Sequence, residues 1–179
     1  MDDVKINEIK DSLIIKDNFF NNKIYNEILF DISKRVFENR NTIVTKEEQN
    51  PNQIIYFNSS LDFNHFAVKE TKNILKNMGF NLKSSDHSYL LSTKHQAATP
   101  HVDLLHDVNC LVYLKGDQLM NNGTGFYDKV DKNYNLNSHT AFKENRAIIF
   151  DSKIYHCSLQ FNENCGPRYA MSNFLNYEE

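Results

Sequence analysis

The chain has no tryptophan, and its three cysteines, Cys110, Cys157 and Cys165, form neither a CxxC pair nor an even set. A disulfide framework is therefore not expected, and the thiols read as reduced. No apolar run approaches the roughly 18 residues of a membrane-spanning helix, and the mean hydropathy of -0.59 agrees. The start, Met1-Asp-Asp-Val-Lys5, lacks the basic-then-apolar pattern of a secretory signal. These absences set the expectation of a cytoplasmic protein with no membrane partner. Neither sign of charge dominates: the formal net charge is -3, which supplies no general attraction to nucleic acid. Lys34-Arg35 and Arg40 read as the solvated face of a helix. No internal repeat or low-complexity linker is visible. The richness in Asn and Lys speaks of an AT-rich coding sequence and not of chemistry.

What is present suits one soluble domain. A length of 179 residues falls within the usual domain size of about 100 to 200 residues. A hydrophobic fraction of 40%, with 13 Phe and 9 Tyr, supplies a core. Ser12 to Lys16 reads as a strand. Ile24, Tyr25, Ile28, Leu29, Ile32, Val36 and Phe37 recur at helical spacing after an Asn21 or Asn22 cap. Asn41 to Asn52 is polar and reads as a loop, and Ile54 to Phe57 as a strand. Phe63, Phe66, Thr71, Ile74, Leu75 and Met78 mark a second amphipathic helix, begun near Ser60 or Asp62 and stopped by Gly79. From Ser88 the pattern changes to short strands: Ser88–Thr93, Cys110–Leu114, the glycine-punctuated Asn122–Tyr127, Arg146–Phe150 and Arg168–Leu175. Such a series, divided by turn signals, points to an antiparallel sandwich or barrel.

Chemistry concentrates at His101 and Asp103. On a strand, residues i and i+2 share a face, so this imidazole and carboxylate would reach one metal ion. His156 offers a third corner. Two histidines and one carboxylate on one side of an octahedron leave the opposite positions open, the donor set of non-haem Fe(II) oxygenases. Arg168, beyond His156, supplies a planar, permanently charged fork suited to a dicarboxylate.

The ordered motifs His101-Val-Asp103, Val112-Tyr-Leu114, Gly123-Thr-Gly-Phe-Tyr127, Ala147-Ile-Ile-Phe150, His156 and Arg168-Tyr-Ala170 resemble the prolyl-hydroxylase-like branch of the 2-oxoglutarate/Fe(II)-dependent dioxygenase superfamily. The similarity covers roughly Ser88 to Tyr177. It implies an α+β, mainly β fold: a double-stranded β-helix, or jelly roll, supported by N-terminal helices. Residues 1–179 would be one domain, with 1–82 as helical support carrying edge strands and 83–179 as the metal-binding jelly-roll core. The resemblance places Fe(II) on His101, Asp103 and His156, and the distal carboxylate of 2-oxoglutarate on Arg168, with Tyr113 assisting. It implies consumption of O2, release of succinate and CO2, ascorbate as a reductant, and hydroxylation of a C–H bond in a peptidyl (prolyl) or small-molecule prime substrate. Two departures stand out: the polar insertion Asn162–Gly166 between His156 and Arg168, and Leu91 where some relatives carry a polar pocket residue. Oligomeric state has no signature in the sequence.

Blander readings stand beside these. His101 and Asp103 would also serve as an exposed strand pair, Arg168 as a surface cation paired with Glu163, and Tyr113 as core. His106 and His139 are rival ligands read as solvent-facing, whereas His65, His87 and His95 lack a carboxylate at strand spacing. The alternatives in function are a zinc-dependent hydrolase on the same three ligands and a metal-binding jelly-roll module without oxygenase activity. The polar run Lys129–Thr140 reads as a mobile lid.

Overall fold

The computed structural model describes residues 12–39, 56–92, 99–120, 122–160 and 166–178. The loop read from Asn41 to Asn52, the start of the strand at Ile54, most of the turn from Gln96 to Pro100, and the insertion from Asn162 to Cys165 lie outside the described residues. Among the described residues, the strands are β1 (Leu13–Lys16), β2 (Glu38–Asn39), β3 (Tyr56–Ser60), β4 (Leu82–Ser92), β5 (Val108–Lys115), β6 (Asn122–Val130), β7 (Asn133–Ala141), β8 (Arg146–Asp151), β9 (Tyr155–Gln160) and β10 (Arg168–Tyr177). They form a seven-stranded sheet in the order β1-β8-β5-β10-β4-β3-β2 and a three-stranded sheet in the order β7-β6-β9. All pairings are antiparallel. Two facing antiparallel sheets with helices on one outer face make the antiparallel sandwich that the strand pattern predicts and the mainly β jelly roll that the family resemblance implies.

Strand alternation decides which face each residue serves. On β5, Val108, Cys110, Val112 and Leu114 belong to the cluster beneath the helices, whereas Tyr113 joins Phe126, Phe142, Ile148, Phe150 and Ala170 between the sheets. Cys110 is fully buried and free, and burial pushes its thiol up to about 12. It behaves as a small core residue.

Helix α1 (Asn22–Ile32) follows from the spacing of Ile24, Ile28 and Ile32, with the Asn21 side chain accepting from the Ile24 N–H at 3.0 Å. The Tyr25 hydroxyl donates to the Leu114 carbonyl and ties the helix to β5. The helix ends at Ile32, short of the expected Phe37. Lys34 and Arg35 turn their N–H groups back onto Asp31 and Ile32, leaving Val36 exposed while Phe37 packs on the Tyr169 ring at 5.7 Å. Helix α2 (Phe66–Asn77) starts later than expected, because Ser60 still pairs with Ser88 in the sheet. His65 caps it, with Nδ1 accepting from the Ala67 N–H at 3.3 Å. At its other end Gly79 takes φ 94. The Phe80 N–H reaches the Leu75 carbonyl and the Gly79 N–H that of Lys76, both at 3.0 Å, which is the Schellman pattern that a left-handed glycine allows. Val68, Thr71 and Leu75 form its buried stripe.

The run from Lys129 to Thr140 is a hairpin and not a loop. Val130 pairs with Asn133 and Lys129 with Tyr134, and Asp131 supplies the turn with φ 55. Its polarity misled because β7 lies at a sheet edge, where exposed Asn and Ser side chains carry no alternating apolar signal. Ladder hydrogen bonds and the Tyr134–Tyr155 contact at 5.3 Å supply the order that apolar anchors were expected to lack.

Asn145 joins the N-terminal segment to the turn before β8. Its side chain accepts from the Phe20 N–H at 2.9 Å and donates to the Phe20 carbonyl at 2.8 Å. Its own carbonyl accepts from the Phe19 N–H at 2.9 Å, and its φ of 58 is one that Asn tolerates better than most residues. Asn145→Ala leaves a buried donor and acceptor of Phe20 unpaired, each costing about 1 to 3 kcal/mol. The variant is expected to lose about 2 to 4 kcal/mol in a urea titration; a loss under about 0.5 kcal/mol would sink this account.

Candidate metal centre and anion pocket

His101, Asp103 and His156 come together, but not by strand alternation. His101 forms an isolated antiparallel bridge with His156: its N–H donates to the His156 carbonyl at 3.0 Å, and its carbonyl accepts from the His156 N–H at 2.9 Å. Directly opposed residues of such a pair project to the same side, and the two imidazole centroids lie 4.7 Å apart. Asp103 follows in irregular backbone, its N–H donating to the Ser152 carbonyl at 2.9 Å. Position i+2 therefore matters through this loop anchor and not through a pleat.

The ring orientations suit metal binding. Nδ1 of His101 lies 3.1 Å from the Thr99 carbonyl and Nδ1 of His156 2.9 Å from the Ile154 carbonyl. A carbonyl only accepts, so each Nδ1 carries the proton and each Nε2 keeps a lone pair for the site. One donor atom from each of the three residues lies within 4.8 Å of the others. Asp103 Oδ2 stands 3.3 Å from His156 Nε2, close to the roughly 3 Å between adjacent donors whose bonds are about 2.1 Å long. Burial, and after it the neighbouring His156, lowers the basicity of His101, which favours the neutral ligand form. Burial also pushes the Asp103 carboxyl up, but the His156 ring beside it, the bond from Asn109 and the nearby His101 outweigh this and leave it below the usual range. Two neutral imidazoles and one carboxylate are a fitting donor set for a divalent first-row metal.

Asn109 and Ser152 belong to the same constellation and escaped the sequence reading. Asn109 Nδ2 donates to Asp103 Oδ2 at 2.6 Å, and the Ser152 hydroxyl donates to Asn109 Oδ1 at 3.1 Å. The available signal was a buried asparagine inside the apolar strand Val108–Lys115.

Arg168 is only 5% exposed, which overturns its reading as a surface cation. Its guanidinium donates to Asn122 Oδ1 at 3.0 Å, the Gly123 carbonyl at 2.8 Å, the Leu159 carbonyl at 3.3 Å and the Ser158 hydroxyl. These acceptors are neutral, and no carboxylate lies in ion-pair range of Arg168 among the described residues. A buried charge without a counter-charge is costly, and a bound anion would offset that cost. Ser158 is two residues beyond His156 on β9, on the same face, so the guanidinium sits about 7 Å along the strand from the metal site. A short diacid spans that distance.

Tyr113 lines the same space, with its ring centroid 6.0 Å from the Arg168 guanidinium carbon and its hydroxyl donating to Thr124 Oγ1 at 2.7 Å. Leu91 is not part of the pocket: it pairs with Tyr169, which packs on the helix side, and the residue facing Ala170 toward the second sheet is Leu90. Gly123 is close-packed as expected, because a Cβ there would collide with the Thr140 carbonyl and lie 2.8 Å from His139 Nε2.

The rival histidines go elsewhere. His106 stacks on Phe174 at 4.7 Å. His139 pairs with Gly125, which also faces Cys157; parity puts it on the face opposite His156, half-buried and not solvent-facing. Its Nε2 has no hydrogen-bond partner among the described residues. His65 bonds Asp31 at 2.9 Å and His87 bonds Asn173 at 2.9 Å.

No family model and no curated protein matches the chain in sequence. Solved structures do match in fold. A prolyl-4-hydroxylase from Pseudomonas putida is similar with a TM-score of 0.63 at 12% identity, over 92% of each chain. A prolyl hydroxylase from Trichoplax adhaerens, in complex with a hypoxia-inducible-factor peptide fragment, gives 0.63 at 12% identity over 92% of this chain and 84% of that one. HygX from Streptomyces hygroscopicus, with nickel and 2-oxoglutarate bound, gives 0.65 at 11% identity over 92% of this chain and 82% of that one. The chain thus has the fold of the 2-oxoglutarate/Fe(II) oxygenases.

One equivalent of Co(II) is expected to bind per chain. At a hundredfold excess over the dissociation constant it would stabilise the fold by about 2.7 kcal/mol. Asp103→Ala removes the anionic donor and should abolish both effects in calorimetric titration and thermal melting. Native affinity in that variant would place the site elsewhere.

Proposed function

We propose that this chain is a 2-oxoglutarate- and Fe(II)-dependent dioxygenase that hydroxylates a C–H bond of a peptidyl or small-molecule substrate, with release of succinate and CO2. The observation that carries the reading is the pairing of a two-histidine, one-carboxylate site with a buried guanidinium two residues, about 7 Å, further along the strand. A zinc hydrolase would use the three ligands and leave Arg168 idle. A jelly-roll module without activity would retain a buried charge that no carboxylate among the described residues neutralises.

In this reading His101, Asp103 and His156 would hold the iron, a donor set of two imidazoles and one carboxylate that suits Fe(II). Bound iron supplies the oxidative chemistry, and the protein supplies orientation. Arg168 receives the distal carboxylate, replacing a costly uncompensated charge with a charge-assisted pair. Tyr113, whose hydroxyl bonds Thr124, assists from the adjacent wall. Fixing both ends of the cosubstrate gives it one orientation. The Phe126–Phe150 pair at 5.2 Å, with Phe150 against His156 at 4.7 Å, keeps one flank of the site apolar. That flank excludes water from the reacting atoms. The bound metal and 2-oxoglutarate of HygX and the peptide complex of the Trichoplax enzyme support the cosubstrate and the range of prime substrates.

The test is anaerobic reconstitution with Fe(II) and 2-oxoglutarate, then exposure to O2, with succinate as the readout. Succinate formation that requires all three components is expected even without the prime substrate, at a slow uncoupled rate. Its complete absence, despite stoichiometric Fe(II) binding, would leave the module without activity as the better account. Arg168→Ala should raise the 2-oxoglutarate requirement by roughly 30-fold or more, the equivalent of about 2 kcal/mol for an unpaired carboxylate, while Fe(II) affinity changes little. An unchanged 2-oxoglutarate requirement would take the anion away from Arg168.

A further inference from the structure

We infer that Asn109, locked by Ser152, is a positioning residue that fixes the Asp103 carboxylate as a one-oxygen ligand and so keeps the rest of the metal's coordination sphere open. The inference rests on the metal-binding reading above and assigns a role to two residues outside the ligand set. Asp103, Asn109 and Ser152 form a closed ring of hydrogen bonds. The Ser152 carbonyl receives the Asp103 N–H at 2.9 Å, the Ser152 hydroxyl donates to Asn109 Oδ1 at 3.1 Å, and Asn109 Nδ2 donates to Asp103 Oδ2 at 2.6 Å.

The directions are set by chemistry. A carboxylate accepts, so the amide must turn its NH2 to Asp103. The Ser152 hydroxyl then occupies the amide oxygen and holds that orientation. Asn109 is 4% exposed and Ser152 fully buried, so water does not compete for these bonds. Both residues sit on neighbouring strands of the seven-stranded sheet or directly beyond it: Asn109 on β5 pairs with Phe150 on β8, and Ser152 follows the end of β8. The clamp is therefore mounted on the rigid scaffold while Asp103 itself lies in irregular backbone. A side chain on a loop needs such an anchor to be preorganised.

The bond from Asn109 stops rotation of the carboxylate about its last torsion. Oδ2 then stays directed toward His156 Nε2 at 3.3 Å, and Oδ1 is kept from swinging in to chelate. Without the clamp the carboxylate would rotate freely, present either one or two oxygens, and compete with the incoming keto acid for a position.

Co(II) titration of the native chain, Ser152→Ala and Asn109→Leu tests this, with affinity, the visible d–d spectrum and apoprotein melting read together. Asn109→Leu keeps the side-chain size and removes the donor. It is expected to weaken Co(II) binding by roughly 10- to 100-fold, the range for partners that orient a metal ligand. Ser152→Ala should lose a smaller factor. Both should alter the d–d spectrum in the same direction, because the carboxylate changes its mode. If Asn109→Leu does not fold, Ser152→Ala decides alone. Native affinity in both variants, or weakened binding with an unaltered spectrum, would overturn the inference and leave the ring a structural element. Failure of the native chain to bind Co(II) would instead remove the metal reading itself.

Discussion

The reciprocal backbone bridge between His101 and His156 is the constraint on which the site depends. Fifty-odd residues and a whole hairpin separate the two positions, yet a pair of hydrogen bonds sets them directly opposite. Opposed residues share a face, so the two imidazoles converge without any attraction between them. The bridge also orders the strand end, since β9 pairs with β6 through Phe126 and His156. That ladder puts His156 and Ser158 on the inner face. From there Ser158 meets the Arg168 guanidinium, which arrives from the opposite sheet. One backbone register thus fixes both the metal corner and the far end of the pocket.

The two layers of the core divide the labour. The helix-side cluster, with Ile28, Val68, Leu75, Val112 and Ile149, is apolar. It carries the burial that stabilises the chain at about 25 cal/mol per Å² of apolar surface. The space between the sheets is different. Tyr113, Phe126 and Phe150 line part of it, but Thr124, Ser158, Ser172 and Arg168 are buried there too. A fold that placed so many polar groups inside for stability alone would gain nothing over apolar packing. Ser158, with Asn122 and the Gly123 and Leu159 carbonyls, holds Arg168 in a fixed direction through neutral acceptors, and under the proposed function its charge would meet the cosubstrate.

How much of this was legible in the sequence follows from which signals are local. Apolar runs such as Ala147–Phe150, the Asn21 cap of α1 and the Gly79 stop of α2 announced themselves, because hydrophobic period and cap chemistry are written in adjacent residues, whereas the His65 cap of α2 did not. Arg168 and the three ligand positions stood out by residue type and order. The geometry that unites them did not, since the bridge is a contact between distant backbone atoms and carries no side-chain code. Leu91 was misplaced for a related reason: one step of register moves a residue to the other face, and only the pairing with Tyr169 reveals which. The hairpin from Lys129 to Thr140 was missed because an exposed edge strand has no apolar face to alternate. Asn109 was present in plain view, but an asparagine in a strand gains meaning only when its partner is known.

The same contrast explains why the histidines are well prepared as ligands. Each imidazole is held by the carbonyl two residues before it, Thr99 for His101 and Ile154 for His156, so its tautomer and tilt are set within its own short segment. Those local clamps do not require the metal, and they leave little reorganisation for binding to supply. Asp103 has no local counterpart. Its carboxylate depends on Asn109, six residues on and mounted on another element. Of the three candidate ligands it is the one whose direction the wider sheet must set, and it also carries the only negative charge among them. A fold that leaves its histidines to local backbone and reserves a buried, doubly anchored amide for its carboxylate puts tertiary structure where local structure alone would not suffice.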